Sequence, residues 1–145
     1  MDIIKSLVDY GVIGGLFVMS VVAFAIGIER LSFIKRFDVK GIKTQEELEI
    51  TLTRRLYLIA SIGSNAPYIG LLGTVLGIML TFYEMGGSDS MDVKGIMVGL
   101  SLALKATAMG LLVAIPCIFL HNILLRKVRE KLVLYKTFIG EKGSL

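Results

Sequence analysis

Charge is absent from three long stretches of this chain, residues 10–28, 56–83 and 95–125, apart from Lys105 and the titratable His121 in the third. At roughly 20 residues for ~30 Å of hydrocarbon, each stretch is long enough to cross a bilayer as a helix. The composition agrees: 54% of the 145 residues are hydrophobic and the mean hydropathy is +0.76, too apolar for an ordinary soluble domain. The expected fold class is therefore all-α, an integral membrane protein with three transmembrane helices. Helices two and three are long; at 1.5 Å per residue their uncharged runs reach roughly 40 Å or more, so they are expected to tilt or project into water.

The runs divide the chain into a single membrane domain, residues 1–145. The first span is expected at about 10–30, a cytoplasmic segment at 31–55, and the second span at about 56–83. A periplasmic loop follows at 84–94, the third span at about 95–125 and a cytoplasmic tail at 126–145. Residues 1–9 set Lys5 against Asp2 and Asp9, and no A-x-A pattern follows, so the first run reads as a retained helix rather than a cleaved leader. Seven Lys and Arg lie between Arg30 and Arg55 and six between Arg126 and Lys142, against one before the first span and one, Lys94, between the second and third. The positive-inside rule then places the N-terminus outside and the C-terminus in the cytoplasm.

The same distribution argues against nucleic acid as a partner. The net charge of +4 comes from basic residues flanking apolar runs, with no basic, aromatic-interleaved patch. The single cysteine, Cys117, forms no internal disulfide and reads as a small apolar helix residue. In the outer loop, Glu84, Asp89 and Asp92 accompany a Gly86-Gly87-Ser88 turn. Between the first two spans, Thr44 precedes Glu46, Glu47 and Glu49, with Leu48, Leu52 and Leu56 at helical spacing, the pattern of a capped amphipathic helix.

Two faces of small residues stand out. On a 3.6-residue wheel Gly63, Pro67, Gly70, Thr74, Gly77 and Thr81 share one face of the second span, and Gly99, Ala103, Thr107, Gly110 and Ala114 share one face of the third. Two readings are open. The stripes are helix-packing seams, with Gly73-x-x-x-Gly77 and Gly95-x-x-x-Gly99 as small-xxx-small contacts, or they border a central space into which both threonines project. The shared outer loop sets Thr74 and Thr107 at similar depths, ~15 to 20 Å from the outer end. None of the three spans contains an internal Asp or Glu, Glu29 only closing the first run, so a proton relay here needs a carboxylate from another chain.

Lys105 breaks the apolar pattern and points ~160° away from Thr107 on the wheel, away from any space the threonines border. At such depth it must snorkel, lose its proton, or meet an acceptor at a subunit contact; the last is the preferred reading. His121, near the inner margin, has no second ligand at useful spacing and reads as an interfacial side chain. The chain shows no metal or cofactor signature and is not expected to be an enzyme.

The stretch APYIGLLGTVLGIM, residues 66–79, and the stretch LKATAMGLLVAIPCIFLHN, residues 104–122, together resemble the paired motifs of the ExbB/TolQ/MotA proton-channel family. That resemblance implies a ring-shaped homo-oligomer, a pentamer, in the bacterial inner membrane. Its second and third helices would surround an ExbD/TolR-type single-span partner carrying an essential aspartate. Thr74 and Thr107 match the family's two pore threonines, and Thr81, Gly70, Gly77, Ala103 and Gly110 fall on the same pore-lining faces. The implied function is coupling of proton-motive force to a TonB-type periplasmic transducer for outer-membrane nutrient uptake. The alternatives are a TolQ-like role in envelope maintenance and a passive membrane scaffold. Two departures are visible: Leu102 stands where relatives often carry a glutamate, and the cytoplasmic segment between the first two spans is short.

Overall fold

The computed structural model describes residues 2–87 and 92–143, and every regular element in them is helical. Helix α1 runs Asp2–Arg36, α2 Gln45–Thr53, α3 Leu56–Gly87 and α4 Val93–Gly143, with one 3-10 turn, Val39–Gly41, between α1 and α2. Three of them, α1, α3 and α4, are long and apolar enough to cross a membrane. The 51 residues of α4 span ~77 Å and the 32 of α3 ~48 Å, well beyond the hydrocarbon thickness.

Local chemistry sets the helix ends. Lys35 and Arg36 occupy the last turn of α1, where cations offset the carbonyl end of the helix dipole. Thr44 takes extended backbone angles and its hydroxyl accepts from the Glu47 amide at 3.1 Å, the N-cap expected from the sequence, with Glu46 and Glu47 in the first turn of α2. Asp92 accepts from the Gly95 amide at 2.9 Å and starts α4 in the same way. The chain passes from α2 to α3 through Arg55, whose φ of 68° lies in the left-handed region. Pro67 and Pro116 lie inside α3 and α4; such prolines are tolerated in membrane helices because neighbours re-satisfy the freed carbonyls.

Helix α3 ends later than its uncharged run. Gly86 and Gly87, expected in a turn, complete its last turn, while Ser88 and Asp89 of that expected loop lie outside the described residues. One turn before this end, Lys5 of α1 meets Glu84 at 3.1 Å, tying the N-terminal end of α1 to the C-terminal end of α3.

The most extensive contact is the antiparallel pairing of α3 with α4, against which α1 lies. Leu16, Ala23, Ile59, Ala66, Val113 and Cys117 form the buried membrane portion of the core. At the other end α2 packs on the distal part of α4, burying Leu48, Leu52, Leu124, Val128 and Tyr135. Each such aliphatic side chain removed from water contributes ~1.5 to 3 kcal/mol, which holds this short helix against the long one. Elsewhere the surface carries Phe17, Phe24, Leu72, Phe82, Leu112 and Phe119, all at least two-fifths exposed. A water-soluble chain does not display so continuous an apolar surface; a lipid-facing one must.

Candidate functional site at the seam of α3 and α4

The small-residue stripes meet one another within a single chain. A β-carbon placed on Gly70 would lie 2.7 Å from the Ala106 carbonyl oxygen and 3.1 Å from the Gly110 α-carbon, and one on Gly110 would lie 2.7 Å from the Ala66 carbonyl. Gly77 faces Ala103 in the same way, its β-carbon position 2.7 Å from that of the alanine, and Gly99 faces Thr81. The helices therefore touch backbone to backbone, an approach that only glycine permits.

Gly70, Gly110, Ala103 and Thr81 are buried in this seam and Gly77 is half-buried. Thr81, with no exposed surface, donates to the Gly77 carbonyl at 2.9 Å. The structure thus packs these five residues against the neighbouring helix of the same chain, with Gly77 and Ala103 also lining a cavity beside α1. Of the stripe residues proposed to contact a proton, Thr74 and Thr107 remain distinct.

Those two threonines are brought together, as their matched depth required. The Thr74 and Thr107 hydroxyls contact each other directly. Thr74 also lies 2.9 Å from the Ala103 carbonyl and 3.3 Å from the Gly70 carbonyl, so its single proton has these two acceptors as well as the Thr107 oxygen within reach. Either hydroxyl can donate to the other; with Thr74 donating to a carbonyl, Thr107 is the donor of the pair. Thr74 is 7% exposed while Thr107 is half-buried. The site consequently presents the Thr107 hydroxyl at the edge of the seam, with Thr74 behind it.

Lys105 lies exposed on the opposite flank of α4, and His121 is half-buried at the far end of the seam with its Nδ1 buried and unpartnered. Sequence reasoning missed three features. Asp9 was set outside the first span because the uncharged run begins at Tyr10, yet packing brings it into a cavity shared with Gly73, Gly77 and Ala103. It lies on the side of α4 faced by Ala106, and Thr107, the next residue, is turned ~100° from that side.

Arg30, read only as an orientation signal, is 4% exposed and donates to the Thr51 carbonyl at 2.8 Å and the Leu52 carbonyl at 3.1 Å, closing the C-terminal end of α2. Its guanidinium also stacks over the Phe33 ring at 4.3 Å, and Glu29 beside it pairs with Arg55 at 3.1 Å. Third, the tail of α4 reaches back to the α1–α2 connection, Lys131 donating to the Phe37 carbonyl at 3.1 Å and Tyr135 to that of Ile42 at 3.4 Å. A charged residue at the end of an apolar run was the available signal for Arg30 and Asp9, but nothing in the sequence names their neighbours.

Comparison with known proteins agrees with this architecture. Over 144 residues, 99% of this chain and 97% of the relative, it is 56% identical to the biopolymer transport protein ExbB of Aquifex aeolicus. It is 57% identical over 123 residues, 85% of this chain and 82% of the relative, to the putative biopolymer transport protein ExbB-like 2 of Helicobacter pylori. The Tol-Pal system protein TolQ of Haemophilus influenzae is 33% identical over 131 residues, 81% of this chain and 57% of that protein. Residues 34–137, which include the whole α3–α4 seam and both threonines, match the MotA/TolQ/ExbB proton channel family, and the chain belongs to that family.

Proposed function

We propose that the chain is the channel-forming subunit of an ExbB-type stator. Copies of it, five on the family pattern, form a ring in the bacterial inner membrane with the N-terminus periplasmic and the C-terminus cytoplasmic. The ring encloses an ExbD/TolR-type single-span partner whose membrane aspartate carries the proton. Proton-motive force moves that partner, and the motion is passed to a TonB-type protein that drives nutrient uptake across the outer membrane. Similarity to ExbB proteins over nearly the full length of a relative, against 33% to TolQ, favours the TonB-linked role over the Tol-linked one.

The observation that carries the reading is the paired hydroxyl at the seam edge. In this reading Thr74 donates to a carbonyl and Thr107 donates to Thr74, which leaves Thr107 an acceptor for whatever lies beside it. A protonated carboxyl has a donor and matches that acceptor, while an ionised carboxylate only accepts and does not. To hold the ionised form, Thr107 must rotate its proton outward and give up the bond to Thr74, a loss of about 1 kcal/mol. The pair therefore favours the neutral acid, and the partner's aspartate leaves the site more readily once it has released its proton. The glycine seam serves this by fixing the distance between the two hydroxyls.

A passive scaffold is the second reading, favoured by the intrachain seam, which accounts for the glycines by packing alone. Packing alone does not call for a direct hydroxyl–hydroxyl contact whose outer member, Thr107, stays partly exposed. The double variant Thr74→Val, Thr107→Val separates the two, since valine keeps the shape and removes both hydroxyls. Loss of energised uptake with the oligomer intact is expected; wild-type uptake by the double variant refutes the proton-site assignment.

A further inference from the structure

Two charges of opposite sign stand without a partner inside the membrane-spanning part of the molecule. Lys105 is exposed on α4 and Asp9 half-buried on α1, and among the described residues neither makes an ion pair or a hydrogen bond. Asp9 lines a cavity of about 350 Å³ between the outer halves of α1, α3 and α4, walled by Val12, Gly73, Leu102 and Ala106 and, at its outer end, by Lys5 and Ser6. A charge at this depth is costly unless paired; with Lys5 taken up by Glu84 at 3.1 Å, Asp9 is the uncompensated charge of the cavity, which suits a side chain with an apolar stem and a cationic head.

Depth can be read from the packing. A β-carbon on Gly73 would lie 2.7 Å from the Ala106 β-carbon and 2.9 Å from the Val12 Cγ1, so these three residues form one layer. Asp9 stands three residues outward of Val12, ~4.5 Å, and Lys105 one residue outward of Ala106, ~1.5 Å. The two charges thus differ by ~3 Å in depth, inside the roughly 6 Å reach of a lysine stem. They do not meet within one chain because Ala106, not Lys105, faces the cavity, and Lys105 is turned ~100° from it.

From this we infer that Lys105 of one copy enters the cavity of the adjacent copy and pairs with its Asp9. The contact joins two different faces of identical chains, a head-to-tail arrangement that closes into a ring when its rotation permits. One contact compensates both charges and fills the cavity, and it places α4 of each copy beside α1 of the next. This inference rests on the oligomer of the proposed function and specifies how its copies adhere; the partner at the threonine site plays no part in it.

The experiment uses the full chain with its partners in native membranes, with Cys117→Ala as background. Asp9→Cys and Lys105→Cys chains, co-expressed and treated with a short bifunctional thiol reagent, are expected to give covalent dimers, and the double-cysteine chain a ladder of multimers. Cross-linking only within one chain, or none, overturns the contact, whether Lys105 then meets its own Asp9, a different protein or a lipid phosphate. Charge exchange gives an independent reading. Lys105→Asp or Asp9→Lys alone should lower the oligomer fraction in mild detergent roughly tenfold, and the two together should restore most of it. An exchanged pair no better than the single variants also overturns it. A wild-type chain that is monomeric in lipid would remove the proposed function itself, whereas a ring lacking the cross-link removes this contact alone.

Discussion

Replacing Gly110 by alanine tests whether backbone contact between α3 and α4 holds the threonine pair in place. The added methyl would sit 2.7 Å from the Ala66 carbonyl oxygen, 3.0 Å from the Gly70 α-carbon and 3.3 Å from the Gly70 nitrogen. None of these is the end of a flexible side chain, so the helices must separate. Restoring ordinary carbon–oxygen contact requires a shift of roughly 0.5 to 1 Å, and overpacking of this kind costs about 1 to 3 kcal/mol. Thr107 lies one turn away on the same face, so the hydroxyl contact stretches by a comparable amount.

Gly14 provides the control, since a β-carbon there meets nothing within 4 Å. Gly14→Ala removes backbone freedom without a clash and should be neutral or stabilising by up to ~1 kcal/mol. Reversible unfolding in bicelles should therefore separate the two alanine variants by roughly 1 to 4 kcal/mol, with opposite or nearly opposite signs. Energised uptake should fall for Gly110→Ala and persist for Gly14→Ala. Equal stabilities would show that the seam accommodates a methyl, and the argument that glycine sets the hydroxyl geometry would fail.

Two further outcomes concern the connection between α1 and α3. Arg30→Gln removes the cation that donates to the Thr51 and Leu52 carbonyls, and should loosen α2 from α1 by about 2 to 3 kcal/mol, read as faster amide exchange across Gln45–Thr53 with the long helices unaffected. Thr44→Ala removes the N-cap hydroxyl and should cost about 1 kcal/mol, seen first as loss of protection at the Glu47 amide; unchanged protection there would refute the capping assignment.

Membrane insertion and the threonine pair were legible in the sequence for the same reason: both depend on position along a helix. Uncharged runs longer than a bilayer is thick admit few folds other than spanning helices, because lipid offers no hydrogen bonds to an open backbone. Regular rise and rotation then put Thr74 and Thr107 on small-residue faces at matching depth. The N-cap at Thr44 was legible too, because a capping hydroxyl acts on an amide three residues away.

What the tertiary structure alone decided is which helix face meets which. A stripe of glycines looks the same in sequence whatever it faces, and only the packed helices show that Gly70, Gly77, Ala103, Gly110 and Thr81 meet the neighbouring helix of the same chain, with Gly77 and Ala103 also at the edge of a cavity. Asp9 acquired significance only when α1 was laid against α3 and α4, which placed a residue from the margin of an apolar run within a turn of Gly73's layer. Arg30 found carbonyls 21 and 22 residues along the chain. Periodicity fixes a side chain's angle and height on its own helix, but the partner across a packed interface depends on how separate helices rotate and slide, a choice made by the sum of many contacts.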